Sequence, residues 1–327
     1  MPQTITYRDA LNQALREELL RDPDVFIIGE EVGAYGGAYK VTEGLFEEFG
    51  AERIIDTPIS EEAIAGAGIG AAMVGLRPVI EMMTVNFALL AMDQIVNHGA
   101  KLHYMSGGQV KVPTTIRAPQ GSGLQLGAQH SQNLEAWFAH VPGLKVVAPS
   151  TPADAKGLLK SSIRDNNPVV FLESEWLYSS KGEVPDDEYV IPLGLADIKR
   201  PGADVTLITY SRMVIMCLRA AEQLTNEGID AEIVDVRTLR PLDMATIADS
   251  VKKTHKAIIV EEDWKSGGMG AEIESQIVGL AFDYLDSPVI RVAAAEVPMP
   301  YSKPLEQAAL PSVEKIVSAA KQILGRE

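Results

Sequence analysis

The stretch "RIIDTPISEEAIAGAGIGAAMVGLRPVIEMM", residues 53–83, decides the fold. It reads as a strand at 53–57, a tight turn, a helix near 60–75 made mostly of Ala, Gly and Ile, and a second strand at 77–83. Neither strand alternates polar with apolar residues, so both faces of each should be covered, as in a mostly parallel sheet with helices on each side. The apolar run 63–76 is too short to span a bilayer and reads as a buried helix. Ser60 stands where an N-cap belongs, and Glu61 and Glu62 fall in the first turn, where the helix dipole favours carboxylates. Gly66, Gly68 and Gly70 each cost a helix interior about 0.5–1 kcal/mol against Ala. Close approach of a second backbone or of a ligand is the expected offset. Such a seam would desolvate one of the two acids, raising its pKa while the helix terminus lowers it.

The same alternation extends in both directions. Further strands are predicted at 25–31, 113–118, 144–149 and 168–174, with helical segments near 86–105, 131–140 and 152–165. A Pro-, Gly- and charge-rich stretch at 177–204 interrupts the pattern, which then restarts with strands at 205–211, 231–239, 257–263 and 288–294 and a last helix near 312–325. The expectation is a two-domain α/β protein: a first domain at 1–185, a linker at 186–200 and a second domain at 201–327.

The chain has 327 residues, 46% of them apolar, and a net charge of −16. That charge opposes nonspecific nucleic-acid binding, which needs clustered Lys and Arg to displace counterions from phosphates. A basic protein partner fits better. The single cysteine, Cys217, lies in a helical pattern and reads as a small buried hydrophobe. The N-terminus reads as an amphipathic helix without a signal core, so a cytoplasmic chain with no membrane association is expected, or one in an organelle matrix or stroma if a leader was removed.

Two glycine-rich turns, "AYGGAYK" (34–40) and "DWKSGGMGAE" (263–272), match neither a dinucleotide fingerprint nor a P-loop and read as loop-shaping. No Gly-Asp-Gly precedes Asn166-Asn167 by the distance a diphosphate site uses. No histidine or cysteine cluster has zinc spacing, and no G-x-S-x-G elbow is present. Of the five histidines, His130 stands apart, in a Gly/Ser/Gln-rich loop after a strand, where α/β sheets carry ligands. "SSIRDNNPVV" (161–170) reads as a helix end stopped by Pro168, with carbonyls and Asp165 turned outward in a manner that suits a monovalent cation.

Taken together, "GEEVGAYGGAYKVTEGL" (29–45), the stretch 53–87, "AQHSQNLEAWFAHVPGLKVVAPSTPADAKGLLKSSIRDNNPVV" (128–170), "DVRTLRPLD" (235–243), "GGMGAEI" (267–273) and "VPMPYSKPLE" (297–306) closely resemble the thiamine-diphosphate 2-oxoacid dehydrogenase beta subunits. The wording is nearest to the pyruvate-decarboxylating members. The resemblance implies a transketolase-like architecture, with an N-terminal pyrimidine-binding domain and a C-terminal transketolase-type domain. It implies an alpha-two beta-two heterotetramer with thiamine diphosphate shared between alpha and beta. Magnesium and the diphosphate would be held by the alpha subunit. The implied activity is oxidative decarboxylation of pyruvate with reductive acetylation of lipoyl groups on the dihydrolipoyl acetyltransferase core.

Residue by residue, the resemblance implies that Glu61 hydrogen-bonds the aminopyrimidine ring so that the cofactor becomes its own base. Ile59, Met83 and Phe87 would line the pyrimidine pocket, and Glu30 would belong to a carboxylate channel between active sites. His130 would serve lipoyl reduction or stabilisation of an intermediate. The carbonyls of Thr114, Ser162, Ile163 and Asn167, with Asp165, would hold potassium. Alternatives are a branched-chain 2-oxoacid or acetoin dehydrogenase beta subunit, or a self-sufficient transketolase-like transferase.

Overall fold

Val25–Gly29, Thr115–Gln120 and Val169–Ser174 are buried at every position, as strands covered on both faces must be. The computed structural model describes residues 2–326. One compact unit comprises the chain through Gln120 together with Trp137–Leu193; the other comprises Gly121–Ala136 and the chain from Gly194 on.

In the first unit, β1 (Gln3–Thr6) pairs antiparallel with β8 (Lys181–Val184). The main sheet holds β2 (Val25–Gly29), β3 (Ile54–Asp56), β4 (Arg77–Glu81), β5 (Thr115–Gln120), β6 (Lys145–Val147) and β7 (Val169–Ser174) in the order β6-β7-β5-β4-β2-β3, all parallel. From β2 the chain steps outward to β3, then back across to β4. That reversal is a switch point, outside whose strand C-termini α/β proteins bind ligands.

Two long helices of this unit, α1 (Tyr7–Arg21) and α7 (Pro152–Arg164), are joined by ion pairs of Lys160 with Glu17 and of Arg164 with Glu18, both at 2.6 Å. The remaining helices are α2 (Leu45–Phe49), α3 (Glu61–Met73), α4 (Val85–Ala88), α5 (Leu102–Met105) and α6 (Glu135–Ala139), whose first two residues belong to the second unit.

Two local expectations change. Residues 86–105, expected as one helix, break into α4, a 3₁₀ turn, a π turn at Gln94–Gly99 and α5. Within the π turn Gln94 faces Gly66, and Gly99 comes to lie against Ile69, both on α3; a Cβ at Gly66 would lie 3.3 Å from the Gln94 side chain. Ser60 does occupy the position before α3, and its carbonyl accepts from Ile64 at 2.9 Å, but its side chain makes no capping bond.

The second unit is a five-stranded sheet in the order β14-β13-β10-β11-β9: β9 (Asp197–Arg200), β10 (Val205–Thr209), β11 (Ala231–Asp235), β13 (Ala257–Trp264) and β14 (Ile290–Ala294). Only β9 runs antiparallel to its neighbour. A short strand, β12 (Thr238–Arg240), follows Arg237, whose φ of 55° ends the run expected at 231–239. The helices are α8 (Met213–Asn226), α9 (Met244–Thr254), α10 (Met269–Ala281), α11 (Lys303–Ala309) and α12 (Val313–Ile323). Cys217 of α8 is fully buried among Leu207, Ile233 and Val260, and burial pushes its thiol up to about 12. It packs as a hydrophobe. No described helix is long and apolar enough to cross a membrane.

Candidate functional site

Glu30, Glu61, Met83 and Phe87 all stand beyond the carboxyl ends of β2, β3 and β4, around the switch point of the first unit. Glu61 is the first residue of α3 and only 7% exposed, yet its carboxylate makes no hydrogen bond or ion pair with any described residue. Glu30 is equally buried and equally without such a partner. Burial, then the charges of Glu61 and Glu31, push the Glu30 carboxyl above the usual range. The two acids therefore feel one another. Nearby, the Thr57 hydroxyl is buried without a hydrogen-bond partner. Met83 and Phe87 are half-buried, and Ile59 is 81% exposed, a large apolar side chain in solvent at the helix mouth. Unsatisfied acids beside apolar side chains suit a ligand with a flat apolar face and a polar edge, such as an aminopyrimidine.

The turn at 33–37 does not serve as an anion cradle. The N–H groups of Gly33 and Ala34 donate to Asp56 at 2.6 and 3.3 Å, and Gly37 donates to the Glu31 carbonyl at 2.8 Å. A Cβ on Gly33 would fall 2.6 Å from the Asp56 carboxylate, so the turn is built to seat that acid. The turn at 263–272 is likewise inward-facing: Gly270 donates to Glu261 at 2.6 Å.

Behind the site lies a charged cluster that sequence reasoning missed. Arg117 of β5 is fully buried between Glu173 of β7 and Glu81 of β4. Its Nε and Nη2 donate to the two Glu173 oxygens at 2.6 and 2.8 Å, and its Nη1 donates to Glu81. The Tyr178 hydroxyl adds a bond to Glu173 at 2.7 Å. Burial holds the Glu81 carboxyl above its ordinary range although Arg117 pulls it down. A signal was available: Glu81, Arg117 and Glu173 each stand in a strand run expected to be buried.

The residues expected to hold potassium gather where α7 meets β7, and cations of the chain already serve several of them. Arg77 Nη1 donates to the carbonyls of Ile163 and Asp165, both at 3.1 Å, and Lys145 pairs with the Asp165 carboxylate. Asn167 gives Asp165 two more bonds at 2.9 Å, from its backbone and its side chain. Burial opposes the charge on Asp165, but these bonds outweigh it and hold the carboxyl below its usual range. The Thr114 carbonyl accepts from Val169, and that of Ser162 from Asp165. Among the described residues no group of three or more His, Cys, Asp or Glu is arranged to hold a metal.

His130 belongs to the second unit, exposed on the loop of 121–136. The loop is closed at its base by the Ser122 hydroxyl on the Ser131 carbonyl at 3.0 Å and by Gly121 N–H on the Gln132 carbonyl at 3.3 Å. At its end the Tyr210 hydroxyl donates to the buried Glu135 at 2.8 Å. Beside it, Asp263 is pushed up to about 9, by burial first and then by the charge of Glu135.

Residues 3–181 match the transketolase pyrimidine binding domain and residues 194–316 the transketolase C-terminal domain. The chain is 55% identical over 326 residues to the mitochondrial pyruvate dehydrogenase E1 component subunit beta of Dictyostelium discoideum, covering 98% of this chain and 92% of that one. It is 52% identical to the corresponding subunit of Rickettsia felis, covering 98% of each. A solved structure described as a split gene transketolase, an inactive beta4 tetramer, superposes with a TM-score of 0.80 over 98% of both chains at 23% identity, a likeness of fold. With transketolase domains matched in order and relatives above half identity along nearly its whole length, the chain belongs to the family of pyruvate dehydrogenase E1 component beta subunits.

Proposed function

We propose that this chain is the beta half of a pyruvate-decarboxylating enzyme, binding the aminopyrimidine end of thiamine diphosphate and working with an alpha subunit that holds the diphosphate and magnesium. The observation that carries the reading is Glu61, a buried carboxylate without a partner among the described residues, at the switch point and beside Glu30, whose carboxyl burial pushes above the usual range. When bound, thiamine diphosphate supplies the nucleophilic carbon and the electron sink that decarboxylation of a 2-oxoacid requires. Glu61 would share a proton with a pyrimidine ring nitrogen, Met83 and Phe87 would offer the ring an apolar wall, and Glu30, whose carboxyl burial pushes above its usual range, would stand close to Glu61. His130 is assigned to acetyl transfer onto lipoyl groups of the acetyltransferase core.

A Glu61→Gln variant assembled with its alpha partner is expected to keep cofactor affinity within about tenfold while exchange of the cofactor's reactive C–H with deuterated water collapses. Wild-type exchange in that variant would remove the assignment. Potassium at the α7–β7 turn is the finer part of the reading: the carbonyls of Thr114, Ser162 and Ile163 each accept a hydrogen bond and keep a second lone pair. The potassium reading predicts a higher Tm in potassium than in tetramethylammonium at equal ionic strength; identical values would count against it.

A further inference from the structure

Glu306 is 1% exposed on α11, and among the described residues it has no cationic partner. A buried carboxylate is costly unless hydrogen bonds replace its water. Those bonds come from a loop far away in sequence: the N–H groups of Gly123 and Gln125 both donate to Glu306 Oε1, at 2.9 and 3.1 Å. Gln125 is held at φ 61°, a left-handed conformation that a non-glycine residue adopts only when its surroundings impose it. Two residues on, Gly127 lies so close to Tyr301 that a Cβ there would come within 3.2 Å of the ring. A second buried acid, Glu262, takes the Ser122 N–H at 2.8 Å and lies 3.2 Å from Arg212, whose guanidinium also donates to the Ser122 carbonyl. The loop closes at the far side through His130 N–H to the Gly127 carbonyl at 3.3 Å.

We propose that Glu306 is a positioning residue for the reaction, pinning the tip of the His130 loop through two charge-assisted backbone bonds, while Glu262 and Arg212 pin its base. This rests on the assignment of His130 to lipoyl acetylation. Both bonds lie within the second unit, so their loss bears on residues 123–130. Gln at position 306 keeps an oxygen that accepts from both N–H groups; Leu removes it.

The test compares Glu306→Leu with Glu306→Gln in the assembled holoenzyme. In Glu306→Leu, amide exchange across 121–131 is expected to rise roughly tenfold or more. Acetylation of a lipoyl domain should fall by a similar factor relative to decarboxylation read with an artificial electron acceptor. Glu306→Gln should restore both. Unchanged exchange in an assembled Glu306→Leu enzyme, or a Gln variant no better than Leu, overturns the proposal. Should the Leu variant fail to assemble, the wild-type enzyme decides: Gly123 and Gln125 amides must exchange more slowly than those of Leu124 and Leu126, and equal rates overturn it. His130→Ala keeps the two claims apart. If it lowers both activities alike, the role of His130 falls while amide exchange still judges the pin.

Discussion

Arg117 and Glu173 meet in the dry centre of the first sheet, joined by two parallel hydrogen bonds of 2.6 and 2.8 Å. The geometry is the bidentate fork in which guanidinium and carboxylate match best. Glu81 shares the same guanidinium, so one cation serves two carboxylates, and the second of them keeps its proton more readily than usual. Removing the cation strands both acids away from water. Arg117→Met is expected to cost about 3–5 kcal/mol, read from the urea midpoint, because breaking a buried pair leaves an uncompensated charge. Glu81→Gln should cost far less. A near-neutral Arg117→Met would mean that water reaches the cluster.

Asp263 lends the second unit a pH dependence. Its carboxyl is pushed up to about 9 by burial first, then by Glu135, with Glu261 and Glu296 adding to it. An acid whose folded pKa lies above its unfolded value binds its proton better in the native state. Its contribution is complete below about pH 4 and is lost as pH rises towards the folded value. The expected Tm therefore declines from about pH 5 to pH 9, and Asp263→Asn, which is neutral throughout, flattens that decline. Parallel curves for variant and wild type would show that Asp263 is already ionised in the fold.

Strands covered on both faces were legible because their apolar runs carry no alternation, and 25–29, 77–81 and 169–174 lie inside the runs expected for them; 54–56 also lies inside its run, but as the edge of the sheet it buries Ile54, leaves Ile55 half-buried and exposes Asp56, so the cover expected on both faces is not there. The break of 86–105 was not, because no Pro interrupts it; the π turn answers to packing of Gln94 and Gly99 on α3, a tertiary cause. Glu61 was legible as an acid at a helix start, but its lack of partners depends on what the fold brings near it. The Arg117 cluster needed strand order before Glu81, Arg117 and Glu173, from three strands, became one network. The carbonyls near Asp165 carry no side-chain signature at all, and Arg77, which serves two of them, comes from a strand distant in sequence. Glu306 and the His130 loop it holds are separated by still more chain.

The three glycines of α3 turn out to have different causes. A Cβ at Gly68 would fall 2.5 Å from Cγ1 and Cδ1 of Ile80, a fully buried residue of β4, so the close approach is to a strand side chain. A Cβ at Gly70 would meet nothing within 4 Å, and that position is exposed. Gly68→Ala is thus an overpacking change, expected to cost about 1–3 kcal/mol. Gly70→Ala removes backbone freedom from the unfolded chain at a helical position with open space, and should stabilise the single chain by about 0.5–1 kcal/mol. Thermal unfolding of the two variants beside wild type separates them: Tm should fall for the first and rise for the second. A Gly70→Ala chain that unfolds below wild type would mean that something within its own fold already occupies the face left open at residue 70.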